Sequence, residues 1–457
     1  MPGLAATLDG SLTPPVAMPG ALPLLGHAGA LLRDPLGFLE RAYPLGEAVV
    51  IRLGPKPALL VNGSEPLRRI LTGDAGLYDK GLQFEQLRVL IGDGVGTSSG
   101  AKHRRQRRLM RPAFDHGHVE GYVETMARSA AQAADAWRVA DRTEVDAAQE
   151  MRLLTMSVIT RVLRGTQDWQ GTDAAAVREV LATLPVLLGG IGRRALLPVA
   201  LLNNAPTPGN RRFRHAQTGV HAMADRMIAE HRARRVPDDG LLGTLLAAVD
   251  EDGSTMTDAQ AHDEIMTVLL AATETSAGTL AWLLHVLSRD PVLQRAVQQE
   301  ADTVLDGRLP TAADLGSLAL TRRVVSEVLR LYPPGWVLGR RPVEPVEIAG
   351  VAVPAGTQVL LNFYGLHRDP RAYPEPGRFD PDRWLDPDPE LLRGNYLPFG
   401  LGPHACIGEE FAWCLLLTAT AVFASRFTVR PVAGSVVRPV ARTTLHPGSV
   451  PLVPEPR

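Results

Sequence analysis

Both cysteines of this 457-residue chain, Cys406 and Cys414, stand in the stretch LPFGLGPHACIGEEFAWC. Cys414 lies among Leu and Ala in an apolar helical run, where a thiol behaves as a small buried hydrophobe. Cys406 has other neighbours: it opens that run and has Gly400, Gly402 and Gly408 around it. Unpaired N–H groups and the helix dipole favour an anion at a helix start, so a stabilised thiolate is expected there. Glycines would let the backbone approach something flat and bulky without Cβ clashes. A second candidate is Glu274-Thr275 in AATETS, Ala271 to Ser276, at the centre of a long apolar pattern. Desolvating a carboxyl there needs an offset, while Ser and Thr hydroxyls can bond the carbonyl a turn earlier, bend the helix and open a pocket. Charged pairs complete the set. His103 and Arg107 in KHRRQRRLMRPAF share a helix face, as do Glu327 and Arg330. Taken alone, such a pair decorates a solvated helix and contributes about a few tenths of a kcal/mol; Arg104, Arg105 and Arg108 read as a wet helix face.

The elements that must position these residues are legible in outline. EAVVIRLGPKPALLVNG reads as a hairpin turning at Gly-Pro-Lys-Pro, and helical patterns dominate from Ser64 to about Leu331. The longest starts at Thr257, where Thr257 to Gln260 fits a capping box, and runs to Pro291, with Ile265, Val268, Leu269, Ala272, Ser276, Leu280, Leu283 and Leu287 at helical spacing. Such a helix is expected to cross the whole domain. After Pro333 come short strands in VEIAGVAVPAGTQVLLNF, then an irregular Pro/Asp/Arg stretch from Arg368 to Gly400 that delivers the chain to Cys406, then a last helix from about Gly408 to Ser425. A long irregular segment of this kind is more often functional than idle.

Composition narrows the classes. A hydrophobic share of 45% supports a large aliphatic core, and a formal net charge of -1 offers no basic field for nucleic acid and no solvating acidic tail. Two cysteines eight residues apart make no disulfide framework, which fits a reducing compartment. Near the N-terminus, Pro and Gly interrupt every apolar run before the roughly 18 residues that span a bilayer. The expectation is a cytoplasmic monomer without a membrane anchor, residues 1–25 forming a Pro/Gly-rich segment and 26–457 one domain.

The decapeptide Phe399-Gly400-Leu401-Gly402-Pro403-His404-Ala405-Cys406-Ile407-Gly408 resembles the cysteine-ligand loop of the cytochrome P450 family, and three further segments match in order, extending the resemblance from Pro19 onward. It implies a mainly α fold with small β-sheets, a single large domain whose long central helix lies over a haem. Cys406 would ligate iron, with Phe399 and Gly402 in the ligand loop. His103, Arg107, Arg340 and His404 match positions that hold haem propionates, Arg340 being preferred to Arg341 by register with the following strand. Glu327, Arg330 and Arg383, the last in FDPDRW, match a buried structural triad. Glu274 and Thr275 match the acid and alcohol that relay protons to bound dioxygen, although Ala272 stands where the family commonly has Gly. The implied activity is a haem b monooxygenase that places one atom of dioxygen in its substrate. No flavin or nicotinamide domain follows the last helix, so electrons are expected from a ferredoxin or flavodoxin supplied by NAD(P)H through a reductase. A peroxide-driven enzyme or a non-catalytic haem sensor would not need the acid and alcohol pair. Apolar stretches GLQFEQLRVLIG, LPVLLGGIG, ALLPVALL, Leu269-Leu270 and GWVL are expected to face the substrate, with Arg88 and Glu85 as ambiguous charges. RLYPPGWVLGRR and GALPLLGHAGALLRDPLGFL resemble actinobacterial terpene-oxidising members, which favours a terpene over a macrolide, polyketide or fatty acid.

Overall fold

The computed structural model describes residues 16–139, 143–165, 205–233 and 240–457, with seven further positions between 181 and 191. Helices supply most of it, and the longest, Asp258–Arg289, organises the rest. Its start is set by a reciprocal cap: Gln260 N donates to Thr257 Oγ1 at 3.2 Å and Thr257 N donates to Gln260 Oε1 at 3.0 Å. Its end follows from Pro291, which disfavours helical backbone at the preceding residue. Asp290 is released and caps the next helix, Pro291–Leu305, accepting from Val292 N and Leu293 N at 3.0 and 2.9 Å. Ile265, Leu269, Leu280, Leu283 and Leu287 are buried, and the helix packs against Ala147–Arg164, Pro208–Ala233 and Glu409–Arg426. By length and composition this helix could cross a membrane, yet 72% of its most apolar window is buried inside the protein. The core accounts for its apolarity.

The hairpin forms as its sequence suggests, Ala48–Leu53 against Lys56–Val61 with Leu53 opposite Lys56. It nucleates a six-stranded mixed sheet that also takes in Val16–Ala17, Gln358–Leu361, Leu338–Pro342 and Tyr78–Asp79. Val16 and Ala17 pair in parallel with Val49 and Val50, so part of the Pro/Gly-rich N-terminal stretch belongs to this sheet. Strand alternation matters most at Leu338–Pro342, where Arg340 pairs with Val359. Successive side chains must point to opposite faces; Arg340 is buried, whereas Arg341 meets Asp79 and Glu85 at 2.7 and 2.6 Å.

The helix Ala319–Leu331 carries Glu327 and Arg330, both fully buried. Arg330 donates to Glu327 through Nε and Nη2, each at 2.8 Å, and Arg383 Nε adds a third bond at 3.0 Å. Asp380 N and Trp384 Nε1 also donate to Glu327, at 2.9 and 3.0 Å. Arg330 further holds the carbonyls of His367, Pro376 and Arg378 at 2.9, 2.8 and 3.1 Å. The irregular stretch is therefore pinned from the inside by one ion-pair network. Burial with complete hydrogen bonding separates this pair from the decorative pairs it resembles in sequence.

Candidate active site

Cys406 ends a tight loop. Its own N–H donates to Phe399 O at 2.8 Å, closing the decapeptide before the helix Glu409–Arg426 begins. Gly402 has φ +72°, and a Cβ there would stand 2.0 Å from Leu71 O, so no other residue fits. Gly408 N–H donates toward the Cys406 sulfur. The thiol retains accessible surface although protein surrounds it closely enough for burial to push its pKa up, against the opposing pull of Gly408 N–H and Arg107. The residue as a whole is exposed, while protein atoms hem in its sulfur. Desolvation outweighs the Gly408 donor, and a metal cation would stabilise the thiolate. Cys414 is buried inside the helix, and burial pushes its thiol up to about 12.

The long helix has a corresponding open spot. Ala271 is exposed in the middle of an otherwise buried segment, with Leu270, Ala272 and Thr275 half-buried around it. Thr275 Oγ1 donates to Ala271 O at 2.6 Å, the one-turn-back bond expected of this side chain. Thr273 bonds Leu269 O in the same way at 2.6 Å, and the helix continues unbroken. Glu274 points elsewhere. It lines a crevice with Arg152, Gly278 and His446 that is too tight for a water, and makes no hydrogen bond among the described residues. Burial pushes its carboxyl up, only partly countered by Arg152 and Arg442. The acid and the alcohol are adjacent in sequence but not joined.

Beside the cysteine loop, cations crowd together. His103 and His404 rings lie 4.1 Å apart. Burial and then the charge of neighbours push both imidazoles down to about 3; Lys80, Arg107 and Arg340 act on each of them. Lys80 is pushed down to about 7 by burial and by Arg340. Arg340, lowered to about 10 by burial, bonds only the carbonyl of Gly339, at 2.8 Å. His404 Nδ1 is buried with no partner. Arg107 Nη1 donates to Ala405 O at 2.6 Å and so ties the basic helix Gly100–Met110 to the cysteine loop. Lys80, Arg107 and Arg340, beside two imidazoles that burial keeps neutral, have no bonded carboxylate among the described residues and are costly unless an anion joins them.

Lys80 is not legible in sequence as a site residue, since a lysine between a strand and a helix looks like a surface residue. Other assignments sort out by contact. Arg105 and Arg108 are tied to Asp250, each at 2.9 Å. Glu85 pairs with Arg341, and Arg88 with Asp93 at 3.1 Å, so neither leaves a free charge on the helix Gly81–Ile91. Leu269 and, from LPVLLGGIG, Leu187 and Ile191 are ordinary members of the main core. Trp336 packs with the cluster around the hairpin and donates to Arg442 O at 2.9 Å, so it braces the sheet instead of facing substrate. ALLPVALL lies outside the described residues. A broad polar cleft of about 810 Å³ between Ser64–Leu71 and the irregular stretch is lined by charges of both signs. Arg383 borders it, but Cys406, the cation cluster and the Glu274-Thr275 pair do not.

Comparison with known proteins agrees with this geometry. A model of the cytochrome P450 family, described as "Cytochrome P450", matches residues 15–454. Cyclooctatin synthase of Streptomyces melanosporofaciens is 41% identical, the alignment covering 96% of this chain and 95% of that protein. Cyclooctat-9-en-7-ol 5-monooxygenase of the same organism is 40% identical over the same shares. Pentalenene oxygenase of Streptomyces avermitilis is 38% identical over 94% of each chain. Because the family match runs from ahead of the first described strand into the last one, it takes in sheet, long helix and cysteine loop together, and the chain belongs to the cytochrome P450 family.

Proposed function

We propose that the protein is a haem-thiolate monooxygenase that oxidises a compact polycyclic terpene, with electrons delivered by a separate ferredoxin or flavodoxin fed from NAD(P)H through a reductase. The observation that carries the haem assignment is the basic cluster beside Cys406: among the described residues, buried His404 Nδ1 has no hydrogen-bond partner and the Arg340 guanidinium no carboxylate, which suits two propionates. Cys406 would hold the iron, and Lys80, His103, Arg107, Arg340 and His404 would meet the carboxylates. When bound, the haem supplies the redox chemistry of dioxygen, which thiolate ligation tunes toward O–O cleavage. Thr275 keeps its hydroxyl at the open spot of the long helix, and rotation away from Ala271 O would present its proton there. Glu274, whose carboxyl burial biases toward the protonated form, serves as the proton reserve once its side chain leaves the crevice with Arg152 and His446. Exposed Arg104 and Arg111 have no ion-pair partner among the described residues and lie near the helix that braces the cysteine loop, a face suited to an acidic electron donor.

Thr275→Ala is expected to leave haem and substrate binding intact while product formed per NAD(P)H consumed falls by about 10²-fold, the order of a lost proton-transfer group, with the electrons appearing as peroxide or water. Unchanged coupling would remove Thr275 from proton delivery.

The terpene assignment draws on relatives named for cyclooctat-9-en-7-ol and pentalenene, and on a Gly81–Ile91 helix whose charges are all paired. Such a wall binds by apolar burial, about 25 cal/mol per Å², and has little to offer a carboxylate. Optical titration should show a haem spin-state change with cyclic sesquiterpenes or diterpenes at micromolar concentration. The same change with fatty acids or macrolides, and none with the terpene panel, would overturn the substrate class and leave the monooxygenase assignment standing.

A further inference from the structure

Glu264 lies on the long helix ten positions before Glu274 and is completely buried. Both its carboxylate oxygens accept from Val95 N, at 3.1 and 2.8 Å. From the other side of the same dipeptide, Lys80 Nζ donates to Val95 O at 2.7 Å and Gly96 O at 2.8 Å. Three consecutive peptide groups are thus held between the two side chains, Glu264 taking the N–H of Val95 and Lys80 the carbonyls of Val95 and Gly96; burial pushes the Glu264 carboxyl up to about 7, and the Val95 N–H pulls it back down. The surrounding loop is shaped to lie flat on the helix. A Cβ on Gly92 would fall 1.9 Å from Asp263 Oδ1, one on Gly94 2.7 Å from Thr267 Oγ1, and one on Gly96 2.9 Å from Thr267 Cγ2. Asp93 N donates to Asp263 Oδ2 at 2.9 Å. Lys80 also belongs to the cation cluster, where burial and Arg340 push its pKa down. A buried ammonium held by two carbonyls and the face of the Phe84 ring, 5.6 Å away, has no ion-pair partner among the described residues, and an anion arriving beside it would strengthen its hold.

We infer that Lys80 and Glu264 clamp the Gly94–Thr97 segment between them, and that through Lys80 the occupation of the cation cluster by dianionic haem tightens residues 92–98 against the long helix. The inference rests on the proposed haem site. It makes Lys80 and Glu264 positioning residues for the wall that continues from Gly81–Ile91, and gives the loop an influence on how firmly haem is held, because coupling between two sites is reciprocal.

Two readouts on the haem-loaded protein test it. In Lys80→Met, amide exchange within 92–98 should quicken by about five-fold or more, and Lys80→Arg should restore much of the protection. In Gly94→Ala, which leaves every cation in place, transfer of haem to apomyoglobin should quicken by a similar factor. Adding Gly94→Ala to Lys80→Met should then have little further effect on haem loss, since the loop acts through Lys80; a merely structural role would make the two changes additive. Unaltered loop exchange in Lys80→Met, or wild-type haem retention in Gly94→Ala, overturns the clamp even if Lys80→Met proves too unstable to isolate. A wild-type protein with no thiolate-haem absorption would overturn the haem reading and the clamp together, and the spectrum tells this apart from failure of the clamp alone.

Discussion

Cys406→Ala is expected to abolish the long-wavelength absorption band that a reduced, carbon monoxide-bound, thiolate-ligated haem displays, whereas Cys414→Ala should leave the band in place. The two thiols occupy very different surroundings. Cys406 is an exposed residue, receives Gly408 N–H and has Arg107 beside it. Cys414 is packed among aliphatic side chains of the terminal helix, where burial keeps it a thiol. The expected change at Cys406 is all-or-none for the band and large for haem retention, because in the proposed site the remaining basic side chains would hold only the propionates. Absorption spectra of the reduced carbonyl complexes of both variants provide the check. Loss of the band in Cys414→Ala with retention in Cys406→Ala would reverse the ligand assignment.

The largest loss of stability is expected from Glu327→Gln. This near-isosteric change removes the one carboxylate that faces fully buried Arg330, leaving that guanidinium without a counter-charge, while Arg383, Asp380 N and Trp384 lose their charged acceptor. Breaking a buried pair from one side costs about 3–5 kcal/mol. Arg128→Ala, which deletes an exposed pair with Glu124 at 2.5 Å, should cost no more than about 0.5 kcal/mol. Urea unfolding of both variants, followed by far-ultraviolet circular dichroism and by haem absorption, measures the contrast. In Glu327→Gln the haem signal should be lost at lower urea than the helical signal, because the network pins the stretch that leads to the cysteine loop. Midpoints equal to wild type would show that the buried network contributes no net stability.

Sequence register favours Arg340 over Arg341, and the structure supplies the reason: strand alternation must send neighbours to opposite faces, and only Arg341 has acids within reach on its side. The sequence also singles out Glu274 as an acid on an apolar helix. The same argument applies to Glu264, ten residues earlier at the same kind of position, yet nothing local marks that residue, because its partner, Val95 N, belongs to a different segment. Trp336 reads as a pocket residue in GWVL, since apolar bulk looks alike in sequence whether it faces a substrate or a sheet; the structure assigns it to the sheet.

What the sequence by itself determined were features decided within a few residues. These are the cap at Thr257 and the stop at Pro291, the hairpin turn, the positive-φ glycines of the cysteine loop, and the helical spacing that brings Glu327 to Arg330. Each depends on backbone sterics or on hydrogen bonds of short range, which local residue types specify. Only the tertiary structure decided how charge is distributed around the thiol. Lys80, His103, Arg107, Arg340 and His404 come from four separate segments; burial depresses the basicity of all of them, and in Lys80, His103 and His404 repulsion by charges on other segments adds to it. The same holds for Cys406, whose helix start favours a thiolate in isolation but whose enclosure by the folded chain reverses the balance. Desolvation and Coulomb energy depend on everything within several ångströms in space, so they become legible only when distant segments have been brought together.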